Sequence, residues 1–198
     1  MPDEVTPQQR RITLSGIAAS ALVTAALWYA LFQFLPSPGG LAPFATAIAC
    51  CAIAALLTLV AGVEAVAHER LMTPAIDPLS GFETRQMRVN QHYLQNTLEQ
   101  YVVFAAGLLA LQAYTSSRIL VIVTIVWVLM RWAFWIGYHM SSLLRAIGAP
   151  GMMQSMIVLL YVAYRFGLDS YGQGAGVALL ITFAGIEAVV FWSVLRRG

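Results

Sequence analysis

Lysine is absent from this chain. All 11 basic residues are Arg, and charged residues of both signs make up only 10% of the 198 positions. A soluble domain usually carries about 25% charged residues. A surface made from so few charges would leave large apolar patches in water, which excludes a water-soluble domain. The net charge of +2 gives no sign of a nucleic-acid partner. The missing lysine has two readings: the codon bias of a GC-rich genome, or the bidentate grip on anions that Arg provides and Lys does not. Cysteine is scarce too. Cys50 and Cys51 are adjacent in an apolar run; adjacent residues rarely bridge, so they read as small buried hydrophobes. No Cys/His spacing suited to a metal, no phosphate-cradling glycine loop and no Ser-His-Asp order stands out.

Hydrophobic residues fill 60% of the chain, and they come in long continuous runs. In hydrocarbon the backbone must satisfy its own hydrogen bonds, so only helices or a closed barrel can cross a bilayer. Barrels alternate apolar and polar residues in short segments; these runs do not alternate. The expected fold class is therefore an all-α integral membrane protein. A helix needs about 20 apolar residues to span. Six segments qualify: 12–35, 41–67, 94–113, 119–144, 151–168 and 174–195. The fifth is the shortest and is expected to be tilted or partly interfacial. The first is too long for a signal-peptide core and lacks a clear cleavage site, so it reads as a true span. The run Pro36-Ser37-Pro38-Gly39-Gly40 ends it sharply. Residues 68–88, with Pro74 and Pro78, form the long polar connection, and Gly148-Ala149-Pro150-Gly151 breaks the chain before the fifth segment.

Arginine placement predicts the orientation. With the N-terminus in the cytoplasm, Arg10, Arg11, Arg70, Arg85, Arg88, Arg145, Arg196 and Arg197 lie inside, and only Arg118 and Arg165 lie outside. Both termini are then cytoplasmic, as expected of a bacterial inner-membrane protein.

Polar groups within spans are costly and mark candidate sites. Arg85, Arg88, His92, Asn96 and Glu99 follow one another in steps of 3, 4, 4 and 3, which puts them on one helical face, with Gln95 beside it. Cations, an amide and a carboxylate at one end of a membrane helix suit a small zwitterionic or anionic ligand. The shallow Arg85 and Arg88 also suit plain contact with lipid phosphates. On the next span Arg131, Tyr138 and Arg145 are separated by steps of 7 and 7, again one face of a helix, with Phe134 close to it. Arg131 sits in an apolar run and needs a partner, for which Glu99 and Glu64 are the candidates. A hairpin through 114–117 makes the two spans antiparallel neighbours and sets Arg145 level with the first stripe. Glu64 and His68 are spaced for a ligand pair or, more simply, a helix-end hydrogen bond. Glu187 stands alone in the last span and calls for another helix or subunit.

The stretch His92-Tyr93-Leu94-Gln95-Asn96-Thr97-Leu98-Glu99-Gln100-Tyr101 resembles the start of the second helix of the MAPEG family (membrane-associated proteins in eicosanoid and glutathione metabolism). Arg131-Trp132-Ala133-Phe134-Trp135-Ile136-Gly137-Tyr138, followed by Arg145, resembles the third helix of its glutathione-binding members. The resemblance covers roughly residues 43–168. It implies a MAPEG-like four-helix core at 41–168, with extra transmembrane helices at 1–40 and 169–198. It also implies a homotrimer, with glutathione between subunits and a lipophilic substrate entering from the bilayer. In that likeness Arg145 is the catalytic residue that stabilises the glutathione thiolate. Arg88, His92, Asn96, Glu99, Arg131 and Tyr138 hold the tripeptide. Three positions depart from the pattern. His92 stands where Arg is frequent, and Gln100 and Phe134 stand where Tyr is frequent.

Three classes of function follow. The first is a glutathione-dependent transferase or peroxidase acting on a lipophilic electrophile. The second is a non-enzymatic structural or accessory subunit of a membrane complex, suggested by the extra helices and the altered ligand positions. The third is a small transporter, for which no inverted repeat or interrupted helix pair is evident.

Overall fold

The computed structural model describes residues 6–77 and 79–196. Pro78 and Arg197, which entered the loop and charge readings above, lie outside them. Among the described residues there are six long helices and no strand: α1 Pro7–Phe34, α2 Pro43–Leu71, α3 Arg85–Leu111, α4 Ser117–Met140, α5 Ala149–Tyr171 and α6 Gln173–Leu195. Five of the helical stretches are long and apolar enough to cross a bilayer. The exception is α3, whose first half carries the polar stripe.

The helix ends follow local chemistry. Thr6 caps α1 by accepting from the Gln9 amide, while the Gln9 side chain returns the bond to the Thr6 N–H. Thr84 Oγ1 accepts from the Met87 amide at 2.9 Å and starts α3 at Arg85, well before the apolar run that set the expected boundary. The fifth segment is also longer than expected. The α5 helix covers 23 residues, about 34 Å at 1.5 Å per residue, enough to span fully. Within α2 the stretch Leu56–Val60 widens to a π-helical turn. A π turn shifts the carbonyl pairing by one residue, and two side chains meet backbone oxygens there: Trp132 Nε1 donates to Leu57 O at 3.0 Å and the Tyr93 hydroxyl to Thr58 O at 3.4 Å.

Packing centres on α2, α3 and α4. Trp127 stacks on Phe104 with ring centroids 4.4 Å apart, and Ala47, Cys50, Ala54, Leu108, Leu120 and Val123 close around them. Both cysteines are free and buried, as their apolar setting implied. The α1 helix lies against α4, α5 and the turn between them, whereas among the described residues α6 packs against α5 alone.

One expectation fails. The apolar run predicts a fourth helix to residue 144, with Arg145 in its stripe. It stops at Met140, where Ser141 turns extended (φ −161°, ψ 145°), and the chain then makes a tight 3-10 turn over Leu144–Gly148. Two glycines make room for that turn. A β-carbon on Gly137 would strike the Leu144 carbonyl oxygen, and one on Gly148 would strike the Phe134 side chain. Arg145 therefore leaves the helix and folds back along it.

Candidate functional site

Helix α3 presents His92, Gln95, Asn96 and Glu99 in turn along one side, and α4 presents Phe134 and Tyr138 one turn apart. Together with Arg145 from the 3-10 turn they line a polar cavity of about 370 Å³. Small-molecule sites commonly fall between about 300 and 1,000 Å³. The Arg145 guanidinium sits 5.5 Å from the centre of the Tyr138 ring. Tyr138 in turn meets Phe134 edge-on at 5.8 Å and His92 at 6.4 Å. The aromatic cluster thus places a cation that the helix itself no longer carries.

Beneath the cavity lies Arg131, with no exposed surface. Its Nη1 donates to Gln100 Oε1 at 2.7 Å, and its Nη2 donates to Asn96 Oδ1 at 3.0 Å and Thr97 Oγ1 at 3.1 Å. The guanidinium plane lies over the Phe134 ring at 4.4 Å and near that of Tyr93 at 5.8 Å. Neither Glu99 nor Glu64 is its partner, contrary to the sequence expectation. Glu99 stands on the flank of α3, where Gln95 Nε2 donates to its carboxylate at 3.3 Å. Glu64 and His68 are exposed at the end of α2, 3.6 Å apart, and the His68 ring meets the Glu64 carbonyl oxygen at 2.8 Å. The buried charge is held instead by two amides, a hydroxyl and aromatic faces.

That network sets the chemistry of the cavity. Asn96 Oδ1 also accepts from Gln100 Nε2, at 3.1 Å. With two donors on its oxygen, Asn96 has only its NH₂ group left to offer a ligand. The cavity therefore combines an amide donor (Asn96), a carboxylate (Glu99), an imidazole (His92), a phenol (Tyr138) and a guanidinium (Arg145). Among the described residues neither Glu99 nor Arg145 forms an ion pair, and both are exposed.

A model of the MAPEG family matches residues 47–168. The chain belongs to the MAPEG family. No curated protein and no solved structure matches it. The match contains the whole cavity, while α1 and α6 lie outside it. In this MAPEG chain Gln100 and Phe134, two of the three positions that depart from the pattern, both serve Arg131: one accepts its hydrogen bond, the other underlies its charged plane.

Other expected residues fall elsewhere. Arg88 is exposed and does not line the cavity. Arg85 Nη2 donates to the His139 carbonyl at 3.0 Å, so it caps the end of α4. Beside it is a cluster that sequence reasoning missed. The buried Asn90 accepts through Oδ1 from Trp135 Nε1 at 2.9 Å and meets His139 Nε2 at 2.9 Å, which ties the start of α3 to the end of α4. Asn90 stands two residues before His92 and is off the stripe; its only signal was an amide in an interior position.

Proposed function

We propose that this protein is a membrane-embedded, glutathione-dependent transferase or peroxidase acting on a lipophilic electrophile, with its site in the cavity between α3 and α4. The observation that carries this reading is the grouping of Asn96, Glu99 and Arg145 around one polar space. Glutathione has two carboxylates, an ammonium and a thiol. The donor set fits it: Glu99 answers the ammonium, the Asn96 NH₂ and Tyr138 hydroxyl answer carboxylate or peptide oxygens, and Arg145 faces the thiol. His92 adds a further hydrogen-bonding group at the rim.

A free thiol with a pKa of about 8.5 is mostly protonated at neutral pH, and an adjacent cation lowers that value. In the transferase reaction, the thiolate sulfur then bonds to the electrophilic carbon of a substrate entering from the bilayer. The thiol proton passes to solvent or to the departing group. Arg131 stays outside the ligand shell and orients Asn96 from below.

In this reading residues 41–168 form the working core of a homotrimer, and segments 1–40 and 169–198 are additions to it. The experiment is glutathione titration of purified protein by calorimetry, wild type against Arg145→Ala. Binding by the wild type that weakens in the variant supports the reading; no binding in either detergent or lipid overturns it. One observation favours the accessory-subunit alternative. Among the described residues the α6 helix touches α5 alone and leaves Glu187 exposed. A stable hetero-complex that forms without glutathione would favour that alternative.

A further inference from the structure

A second and larger space, about 730 Å³, lies between α1, α4 and α5. It shares no residue with the polar cavity, and α1, which forms one wall, lies outside the region that matches the family. Ala21, Ala25, Val123 and Ile157 are typical of its lining. Its main polar groups are already engaged. Trp28 Nε1 donates to Gln154 Oε1 at 2.7 Å, Gln154 Nε2 to the Val123 carbonyl at 2.8 Å, and Thr24 Oγ1 to the Ser20 carbonyl at 2.7 Å. A peptide or sugar would find few free partners there; a hydrocarbon chain needs none. Along α5 the lining runs from Pro150 to Tyr161, about 16 Å at helical rise.

One end of this groove is charged. Arg118 directly precedes the lining residue Ile119; it donates to the Phe32 carbonyl and stands 5.4 Å from the Phe32 ring centre. Arg165 donates to the hydroxyl of the lining residue Tyr161 at 3.3 Å and lies 5.3 Å from the Tyr114 ring centre. It also pairs with Asp169 at 3.2 Å. These two arginines flank the turn between α3 and α4, and among the described residues every other arginine lies at the opposite end of the helices or, for Arg131, between the two. Two guanidiniums against one carboxylate leave a net positive mouth on an apolar groove.

We infer that this groove is a binding site for an anionic glycerophospholipid of the surrounding bilayer. One acyl chain lies along Ala25 and Ile157, and the phosphate sits at Arg118 and Arg165. The lipid completes the packing of α1 on the core, where α1 otherwise meets α4 and α5 with an open seam. The site does not depend on glutathione.

Trp28 in the wall is the reporter. Wild-type protein and Trp28→Phe are reconstituted in phosphatidylcholine vesicles containing a minor fraction of either phosphatidylglycerol or phosphatidylcholine brominated on the acyl chain. The emission difference between the two proteins isolates Trp28. It is expected to be quenched at a several-fold lower fraction of the anionic lipid. Arg118→Gln and Arg165→Gln should weaken that preference by roughly fivefold each. Ala25→Leu, which fills the groove, should abolish it, and native mass spectrometry should show one fewer phosphatidylglycerol retained per protomer. Equal quenching by both lipids, or unchanged lipid retention in Ala25→Leu, overturns the inference. So does a disulfide between two copies of Ala25→Cys, which would put a second chain in the groove.

Discussion

Arg131 and Arg145 belong to the same face of the bundle, yet they live in opposite surroundings. Arg131 is fully enclosed and donates to Gln100, Asn96 and Thr97. Arg145 is exposed at the cavity edge, steadied by the Tyr138 ring. A guanidinium whose Nη1 and Nη2 already donate to three side chains fixes the groups around it. One with open donors and a single aromatic support can respond to a ligand. The contrast separates the residue that builds the site from the residue that acts in it, although both are arginines at heptad spacing from Tyr138.

The largest effect should come from the enclosed member. Arg131→Ala removes the donor to three side-chain oxygens, of which that of Thr97 is buried and those of Gln100 and Asn96 are half-buried. Leaving a buried acceptor unsatisfied costs about 1–3 kcal/mol, and the cavity left by the side chain adds to it, so a marked fall in thermal midpoint in detergent is expected. Arg131→Lys keeps the charge but cannot serve Gln100 and Asn96 together, because an ammonium lacks the planar fork. It should recover only part of the stability. If Arg131→Ala unfolds at the wild-type temperature, Arg131 is not the floor of this site.

Arg145→Ala tests the other side. It should leave the midpoint nearly unchanged, since substitutions at exposed positions usually fall within about 0.5 kcal/mol. Turnover with glutathione at neutral pH should drop on the order of a hundredfold to a thousandfold, the range expected when one donor to a developing anion is lost. The pH dependence fixes the sign. A nearby cation favours the thiolate and lowers the thiol pKa, so the wild type holds thiolate at lower pH. Without Arg145 the rising limb of the rate should move toward alkaline pH, and the deficit should shrink as pH increases. A deficit that is constant with pH would assign Arg145 to binding alone.

How much of this was legible beforehand depends on whether the determining contact is local. The spacing of His92, Asn96 and Glu99 is a property of one continuous helix, and that helix forms. The Arg131–Tyr138 step holds for the same reason. The step to Arg145 does not, because the helix stops at Met140 and a turn carries the side chain back. Gly137 and Gly148 were the available signal: they bracket Arg145 and leave space that a β-carbon would fill. The partners of Arg131 differ from the expected Glu99 or Glu64 because a buried cation does not require an anion. Distributed acceptors and ring faces do the same work here, and no sequence period encodes them. The π turn in α2 leaves no composition mark at all; it becomes visible only through Trp132 and Tyr93.

Gly137→Ala sharpens the comparison by moving Arg145 without touching it. The added methyl meets backbone rather than a flexible side-chain end, since the Leu144 carbonyl oxygen and the Arg145 amide nitrogen are its neighbours. Overpacking of this kind costs about 1–3 kcal/mol. The turn should shift and pull Arg145 from Tyr138, so glutathione affinity should fall together with a modest loss of thermal stability. Wild-type affinity in a folded Gly137→Ala protein would mean that the fold-back of the turn does not position Arg145.

The smallest effect is expected at Arg88. Its place in the sequence stripe suggests a ligand contact, and the family likeness assigned it one. In the folded chain it is exposed, and the cavity is lined from His92 onward. Arg88→Ala should therefore change stability by less than about 0.5 kcal/mol and leave glutathione affinity within about twofold at moderate salt, where exposed charges beyond a Debye length are screened. Titration of both proteins at low and at moderate ionic strength checks this. A difference confined to low salt would mark Arg88 as a distant contributor to the field. A large loss at both would place a ligand carboxylate against Arg88, and would extend the cavity one turn further toward Arg85 than its lining now reaches.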